Sequence, residues 1–470
     1  MINSPDSAEQ IARLRALLKP QPLDAASVCT RLQISQPTFS RLWKLAGPDV
    51  LAIGAARARR YALARNLGNL GSLLPVFEVL ADGSSAPFGE LRILQNDWYC
   101  FTPHGGAAQL MLGMPFWLQD LRPQGFLGRM VPRLHRDLGL PLNILEWSDD
   151  DTLRFVTQRG EDVPGNIILG NESYRRFLGL SQRQRGGAAL GETGYAAVPV
   201  PVPAPERVAT YARLADLANL GEAAGSSAGG EQPKFVASVL RGDGRIEPVL
   251  VKFSPDIATI NGRRWGDLLI CEHWALETLR EAGIAASVTE LIETDVRIYL
   301  QARRFDRVAP DGVMGGVIGR APVVSMAGID GLLGALDKNW THATLLLRDQ
   351  NQLSAADWQT VCLLDVFGAL IGNSDRHPGN LSLVWDKDGR FTLAPVYDML
   401  PMLYQPTRQG EVVPREFDVR VLDRLDLRCL DQARGLAMTF WQKVEQDLRI
   451  SADMRQIARQ HATIIRTNLG

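Results

Sequence analysis

Apolar and polar positions at the start of the chain follow a helical period. Apolar side chains recur at helical spacing over residues 8–18, and a second short helix fits residues 23–32. Ser35 is a candidate N-cap, and Pro37 falls in the first turn of a third helix over residues 36–46. The pattern therefore predicts three consecutive short helices.

The third helix divides into an apolar face and a polar, basic face. We expect Phe39, Leu42 and Leu45 to pack inward. The side chains expected to point outward are Gln36, Thr38, Ser40, Arg41 and Lys44. Two strand-like segments follow, Val50–Ile53 and Arg60–Leu63. The arginines in and beside the turn between them are Arg57, Arg59 and Arg60.

This order of elements resembles a winged helix-turn-helix over residues 1–66, in which the third helix enters a DNA groove and the basic wing contacts phosphates. The charge supports DNA binding, because ten Lys and Arg stand against four Asp and Glu before residue 66, while the whole chain has a net charge of -1. The alternative is a three-helix protein-interaction unit with a solvated basic face.

Between residues 67 and 200 the pattern alternates between strands and helices. Strand-like segments cover residues 74–80, 90–94, 98–102 and 152–156, and a helical segment lies around residues 127–138. The Val- and Pro-rich run over residues 198–205 predicts a stiff extended linker. This part of the sequence offers no constellation of His, Cys and carboxylate residues.

Beyond the linker, the sequence has features typical of a nucleotide-binding lobe. A helix over residues 209–220 leads into a Gly-rich loop over residues 225–235, whose backbone N–H groups could approach phosphates. Two strands follow over residues 235–240 and 247–253, and Lys252 lies near the end of the second. A lysine in this position is suited to holding nucleotide phosphates.

An acidic residue on the next helix is a candidate partner for that lysine. Glu272 lies on an apolar face of a helix over residues 265–282, where an unpaired carboxylate would be costly, and Glu277 and Asp267 are rivals. A strand over residues 296–301 then leads into Arg304-Phe305-Asp306-Arg307, where a hinge could offer backbone groups to adenine.

The strongest signal is a loop after an apolar helix over residues 358–371. Gly372 ends the helix, and Asp375 and Asn380 follow five residues apart. A hairpin of residues 381–385 and 390–396, turned by an Asp-Gly pair, brings Asp398 back toward Asn380. Kinases use such a set: one carboxylate for the acceptor hydroxyl, and an Asn and a second carboxylate for Mg²⁺.

Size and composition favour an ordinary globular protein of two to four domains. The five cysteines show no Cys-x-x-Cys pair, which argues against a disulfide framework or a zinc site and favours a reducing cytosol. There is no signal peptide and no apolar run of bilayer length, so we expect a cytoplasmic protein without a membrane partner. The last helical patterns cover residues 430–448 and 453–469.

These motifs, in this order, resemble the HipA family of bacterial serine/threonine kinases, the toxins of toxin–antitoxin modules. The resemblance covers residues 70–460 and is most specific from residue 225 onward; Phe126-Leu127-Gly128 and residues 160–165 resemble the family's N-terminal subdomain. The helix-turn-helix end departs from typical members and is similar to the longer HipH-type branch. Residues 307–351 depart from the family pattern, so that segment gives no support for assigning the family's substrate to this chain.

The resemblance implies a fold and roles for individual residues. The expected fold is α+β, a bilobal kinase-like body with a β-rich nucleotide lobe over residues 201–306 and a helical lobe over residues 307–470. Asp375 would be the catalytic base with His377 beside it, and Asn380 and Asp398 would hold Mg²⁺. The residues expected to bind ATP are Ser226, Gly229, Gly230, Lys234, Lys252, Glu272, Arg304 and Phe305.

The family also implies regulation and a substrate class. Its members autophosphorylate a serine of the Gly-rich loop, and the matching position is Ser226, with Ser227 next to it. Family members act on aminoacyl-tRNA synthetases, which makes such a protein a candidate substrate. Three alternatives remain: a lipid kinase, a DNA-binding regulator with an inactive kinase body, and an enzyme acting on the DNA itself.

Overall fold

The computed structural model describes residues 5–186, 201–222, 232–309, 317–333 and 339–469. Its N-terminal unit consists of helices α1 (Pro5–Leu18), α2 (Ala25–Leu32) and α3 (Gln36–Leu45) and an antiparallel pair of strands, β1 (Val50–Ile53) and β2 (Arg60–Leu63). Asp24 and Ser35 cap α2 and α3 through their side-chain oxygens. The predicted helices and strands of this unit are confirmed.

The core of the N-terminal unit differs from the prediction at one position. Phe39 and Leu42 of α3 are buried against Leu14 of α1 and Val28 of α2, as expected from the apolar face. Leu45 is 59% exposed, so its predicted core role is wrong, and Ala46 at the end of the helix is buried at 4%. The chain leaves the helix at this point, which turns the last helical side chain away from the core.

A second region contains a five-stranded antiparallel sheet and several helices. Its strands are β3 (Leu73–Val79), β4 (Ser85–Ile93), β5 (Trp98–Pro103), β6 (Gln109–Leu112) and β7 (Ile167–Leu169), in the order β6-β5-β4-β3-β7. Its helices are α4 (Phe116–Gln119), α5 (Gly125–Leu134), α6 (Asp149–Arg159) and α7 (Asn171–Gly186).

The predicted strand over residues 152–156 is wrong, because those residues lie inside α6. Ser148 and Asp151 form a capping box at the start of this helix, and the acidic residues of the first turn complement the helix dipole. These end signals outweigh the β-branched Thr and Val side chains, whose strand preference depends strongly on context.

The N-terminal unit packs directly against the second region. Arg65 and Asp150 form a two-point ion pair at 2.5 and 2.7 Å, and Asn96 donates to the carbonyl of Pro20 at 2.9 Å. An apolar cluster also crosses the junction, with Ile53 and Ala62 on one side and Leu94, Cys100 and Trp98 on the other. The basic helix α3 is therefore carried on a packed unit.

The third region is built on a second five-stranded sheet. Its elements are β8 (Val202–Pro203), α8 (Arg207–Glu222), β9 (Lys234–Leu240), β10 (Ile246–Phe253), α9 (Ile260–Glu281), β11 (Thr289–Glu293) and β12 (Ile298–Arg303). The sheet order is β11-β12-β10-β9-β8. The linker prediction for residues 198–205 needs correction, because Val202 and Pro203 pair in parallel with Val239 and Leu240 as an edge strand. An edge is where a sheet tolerates proline.

The C-terminal region is mainly helical and carries two small sheets. Its strands are β13 (Arg307–Val308), β14 (Gly319–Arg320), β15 (Val323–Ser325), β16 (Ser382–Trp385) and β17 (Phe391–Leu393). Its helices are α10 (Met326–Leu333), α11 (Trp340–Asp349), α12 (Ala355–Leu370), α13 (Leu430–Gln446) and α14 (Ala452–Asn468). Helix α12 is buried along most of its length, as its apolar run predicted.

The architecture is thus a mixed α+β fold. A large apolar core joins the second region to the helical region, for example through contacts of Phe88 and Phe116 with Trp385. The five cysteines are all free thiols. Within the described ranges, no helix combines the length and apolar character needed to cross a bilayer.

Candidate active site

Lys252 is the centre of a buried charge cluster. It lies on β10 opposite Leu300 of β12, and its side chain is 4% exposed. Its Nζ donates to both carboxylate oxygens of Glu272 on α9 at 2.6 Å, and it also donates to Oδ1 of Asp398. One ammonium therefore joins the strand, the helix and the segment after the β16–β17 hairpin.

The two rivals of Glu272 have other partners. Glu277 accepts a hydrogen bond from Arg280 at 2.6 Å. Asp267 accepts from the backbone N–H and hydroxyl of Ser451 at 2.9 and 2.5 Å. Helical spacing alone could not choose among the three acids, and the structure places Glu272 against the lysine.

The charges of the cluster control its protonation. Burial by itself would raise the pKa of Asp398, but Lys252 and Lys234 outweigh it and lower that pKa to about 2. Burial by itself would lower the pKa of Lys252, but Asp398 and Glu272 raise it above its ordinary value. The cluster therefore contains one ammonium and at least one firmly ionised carboxylate at neutral pH.

The loop after α12 is held in place by one asparagine. Gly372 ends α12 with φ 76°, a conformation that favours glycine. Asn373, 1% exposed, accepts the backbone N–H of Asp375 at 2.9 Å and donates to the carbonyl of Asp398 at 3.4 Å. This side chain thus ties the loop that carries Asp375 to the residue bound by Lys252.

A buried ion pair between the loop and helix α12 also holds this loop in place. Arg376 donates to the carbonyl of Asn373 and contacts Asp365 of α12 at 3.3 Å. Asp365 is 1% exposed and also accepts the hydroxyl of Thr341 at 3.0 Å. A side chain on Gly368 would come within 2.7 Å of Arg376, so the glycine leaves room for the arginine along the helix.

Asp375 is half-buried and faces other charged groups. Burial raises its pKa above the ordinary range and the nearby Asp398 acts in the same direction, while His377 opposes both. His377 is exposed, with its Nε2 3.9 Å from Oδ1 of Asp375. A partly exposed carboxylate with a raised pKa is suited to taking a proton from a hydroxyl group.

The metal-binding prediction for Asn380 and Asp398 can be tested against the donor atoms. The Asn380 amide nitrogen donates to the carbonyl of Asp375 at 2.9 Å, so its oxygen is the atom suited to a metal. Mg²⁺ prefers hard oxygen ligands and usually takes one or two side chains, with phosphate and water oxygens completing the shell. Within the described residues there is no group of three or more His, Cys, Asp and Glu side chains that could hold a metal ion, and binding of Mg²⁺ by Asn380 and Asp398 stays a prediction.

Arg304 at the predicted hinge forms hydrogen bonds within the protein. The N–H of Arg304 bonds the carbonyl of Pro248 at 3.0 Å, and its guanidinium pairs with Asp306 at 2.8 and 2.9 Å. Both groups of Arg304 are thus engaged within the protein, and its binding of ATP stays a prediction. Phe305 contacts Tyr397 with ring centroids 5.5 Å apart, which places the hinge beside the segment of Asp398.

Several predicted ATP-binding residues lie outside the described residues. These are Ser226, Ser227, Gly229 and Gly230, so their placement stays a prediction. Lys234 is described: it begins β9, opposite Lys252 in the strand register, and its positive charge lowers the pKa of Asp398. The cation at the loop's end is therefore close enough to affect the site.

The predicted DNA-binding residues lie on the N-terminal unit, on two exposed elements. Gln36, Ser40, Arg41 and Lys44 are exposed and Thr38 is half-buried on α3. Arg57 and Arg59 are exposed in the turn between β1 and β2, and half-buried Arg60 lies 3.9 Å from Asp24.

Sequence reasoning missed the supporting acids and amides. Asn373, Asp365 and Asp120 were not singled out, although Asp120 of the second region accepts the backbone N–H and hydroxyl of Ser325 across the two regions. Asp365 could have been found by the argument used for Glu272, since it is a lone acid within an apolar helix. Asp120 carries no such local signal.

Comparison with known proteins agrees with this architecture. The family "HipA-like C-terminal domain" matches residues 226–468, and the family "YjjJ-like toxin, middle domain" matches residues 70–178. The chain is 35% identical to the Toxin YjjJ of Escherichia coli (strain K12) over 460 residues, covering 97% of this chain and 98% of that protein.

Two solved structures were also found. One is the HipA protein of Shewanella oneidensis MR-1 in complex with HipB and operator DNA, with TM-score 0.49, 15% identity and coverage of 83% of this chain and 95% of that chain. The other is the Helicobacter pylori proinflammatory kinase CtkA, with TM-score 0.31, 12% identity and coverage of 49% and 90%. On the two family matches and the full-length relative, the chain belongs to the YjjJ-like toxins with a HipA-like C-terminal domain.

Proposed function

We propose that this chain is an ATP- and Mg²⁺-dependent serine/threonine protein kinase that acts as a toxin by phosphorylating a protein substrate. The single observation that carries the proposal is the contact of Lys252 with both Glu272 and Asp398. A strand lysine paired with a helix glutamate and a metal-binding aspartate is the arrangement that protein kinases need for catalysis.

The proposed site lies between a β-rich nucleotide lobe and a helical lobe. Lys252 would bind phosphate oxygens of ATP, and the oxygens of Asn380 and Asp398 would hold Mg²⁺, which supplies charge neutralisation on the phosphates. Asp375 would accept the proton of a serine or threonine hydroxyl while the oxygen of that hydroxyl forms a bond to the γ-phosphorus of ATP. The bond from that phosphorus to the bridging oxygen breaks, and ADP leaves.

The central test is transfer of labelled phosphate from ATP by the purified full chain. We expect transfer with Mg²⁺ and its loss in Asp375→Ala, because general-base help is worth about 10²–10⁴-fold. Asp388→Ala is the matched control, since Asp388 is exposed in the hairpin turn of the same region. Equal transfer by Asp375→Ala and wild type, with both folded, would disprove the assignment of the base.

Autophosphorylation in the Gly-rich loop is the regulatory part of this proposal. Two hydroxyls, Ser226 and Ser227, fall in the loop expected to cover the phosphates. A phosphate group there adds nearly two negative charges, which would oppose ATP binding. Phosphopeptide mapping after incubation with Mg-ATP tests this, and incorporation only outside residues 220–240 would reject it.

DNA binding by a winged helix-turn-helix is a second function, favoured by the exposed basic groups on α3 and the β1–β2 turn. Replacing Arg57, Arg59 and Arg60 together by alanine should weaken binding to all DNA sequences and reduce its salt dependence. Replacing Gln36 or Arg41 should change sequence preference instead. Full-length protein should be used, because removing the unit would uncover the apolar cluster at its junction. Unchanged binding by the triple variant would place the DNA contacts elsewhere.

A further inference from the structure

A solvent-open cleft lies beside the hinge, where the second region meets the β9–β10 strands. Its volume is about 50 Å³, and its wall includes Phe177 and Ser181 of α7, three arginines (Arg304, Arg307 and Arg320) and two acidic residues (Glu161 and Asp162). The cleft also contains Pro248 of β10 and its cross-strand partner Ser238 of β9. Both lie on the same sheet face as Lys252, and Pro248 is four residues from Lys252 along β10. At the usual rise of a strand this is about 13 Å, so the cleft is distinct from the Lys252 cluster.

Two of these arginines face each other across a strand pair. Arg307 of β13 and Arg320 of β14 are direct partners in an antiparallel register, where like charges destabilise the pairing. Both are buried, at 6% and 5% exposure. Arg320 is fixed there because the adjacent Gly319 packs so closely on the carbonyl of Ala81 that a side chain would not fit.

The carboxylates of the cluster do not balance its guanidinium groups. Asp306 pairs with Arg304 at 2.8 Å and with Arg307 at 2.6 Å, and Asp162 pairs with Arg307 at 2.8 Å. The neighbouring Glu161 leaves this balance unchanged, because its Oε1 pairs with Arg176 at 2.5 Å, while its Oε2 is buried without a hydrogen-bond partner among the described residues. Among the described residues, three guanidinium groups therefore stand against two carboxylates, which leaves one positive charge in this part of the cluster.

Arg320 carries this excess charge. Its guanidinium donates to the backbone carbonyl of Glu161 and lies 5.3 Å from the ring centroid of Phe177. Within the part of the chain that the structure describes, its Nη1 and the hydroxyl of Ser181 are buried without a hydrogen-bond partner. Burial and the neighbouring Arg307 lower the pKa of Arg320 to about 9, which reflects the cost of an unneutralised cation.

We propose that the cleft binds a phosphate-type oxyanion, with Arg320 and Ser181 as donors and Arg307 as the second positive group. Arginine offers several donors in a fixed plane and is suited to phosphate oxygens. An oxyanion would neutralise the excess charge and supply the missing acceptor for Arg320. Because the cleft opens to solvent, the phosphate group could be free or attached to a larger molecule.

The inference is independent of the proposed kinase activity and is tested by calorimetric titration of the full chain at constant ionic strength. The probes are inorganic phosphate and O-phosphoserine, which distinguish a free from an attached phosphate, with chloride as the baseline. We expect saturable binding of at least one probe, weakened at least tenfold in Arg320→Gln, since charged hydrogen bonds of this kind are worth roughly 1.5–3 kcal/mol and 1.4 kcal/mol is tenfold.

Two further variants keep the result interpretable. Arg408→Gln removes an exposed cation of the C-terminal region, outside both charge clusters, and should leave the binding unchanged. Ser181→Val removes only a neutral donor, should weaken binding about threefold or more, and decides the matter if Arg320→Gln does not fold. The inference is overturned if neither probe binds, if the folded Arg320→Gln binds like wild type, or if Arg408→Gln weakens the binding as much as Arg320→Gln does.

Discussion

Two charge clusters, one around Lys252 of β10 and one beside the hinge, have charges that are unbalanced in opposite directions among the described residues. Around Lys252, one ammonium pairs with Glu272 and Asp398, and the nearby Lys234 and Asp375 bring the described groups to two lysines against three carboxylates. Around the hinge, Asp162 and Asp306 pair with Arg304 and Arg307, and the adjacent Arg320 adds a third guanidinium group among the described residues. Buried charges are expensive unless paired, so an unpaired excess indicates a missing partner. The negative excess suits a cation such as Mg²⁺, and the positive excess suits an oxyanion.

The largest expected effect is a loss of phosphate transfer when a carboxylate is removed from the cluster around Lys252. Asp398→Asn removes the charge that would bind the metal while keeping the shape of the side chain, and the Lys252–Glu272 pair can remain. We expect phosphate transfer to fall by at least about 10²-fold, because electrostatic stabilisation by a positioned group is worth at least this much. The measurement is the transfer rate at saturating Mg-ATP, and Asp388→Asn should retain the wild-type rate. Near-normal transfer by Asp398→Asn would show that this cluster has no catalytic role.

Removing the shared ammonium should lower stability strongly. Lys252→Met leaves Glu272 and Asp398 without their cation, and breaking a buried pair in this way costs about 3–5 kcal/mol. Unfolding by urea measures this loss. The double variant Lys252→Met/Glu272→Gln should regain part of it, because one stranded carboxylate becomes neutral. A Lys252→Met protein as stable as wild type would show that these carboxylates do not depend on the lysine.

The sequence predicted local signals well and contacts between distant regions poorly. Ser35 as an N-cap, the turn at Gly372 and the hairpin before Asp398 are set by neighbouring residues, and these elements were recovered. The helix around residues 152–156 was missed because its cap outweighed the strand preference of its β-branched residues. The edge strand at Val202 was missed because its partner Val239 lies far along the chain.

The same distinction holds for the two clusters. Lys252, Glu272 and Asp398 could be chosen because each follows a recognisable local pattern. Arg320 could not, because its significance comes from Arg307 across a strand pair and from Phe177 in another region. Charge balance in a buried cluster is a property of the folded chain and cannot be counted along the sequence.

The pH dependence of the phosphate-transfer rate should reflect the pKa of Asp375 and the charges that shift it. Its pKa is raised by burial and by Asp398, so the ionised base is lost as pH falls through a value above the ordinary range of Asp. His377 opposes this rise, so His377→Gln should move the acidic limb of the rate profile to higher pH. His104→Gln, at an exposed position of the second region, should leave the limb in place. A limb that moves to lower pH in His377→Gln would contradict the assignment.

The smallest effect, and the sharpest contrast with Lys252→Met, should come from removing the positive excess. Arg320→Gln loses one bond to a backbone carbonyl and a contact with Phe177, each worth about 1 kcal/mol, but it also relieves the unneutralised charge opposite Arg307. In buffer without phosphate or sulfate, we expect its unfolding free energy to lie within about 1 kcal/mol of wild type. Urea unfolding of both cation-removing variants in the same buffer makes the comparison. A loss as large as that of Lys252→Met would mean that Arg320 is an already balanced structural cation, and the opposite imbalance of the two clusters would be disproved.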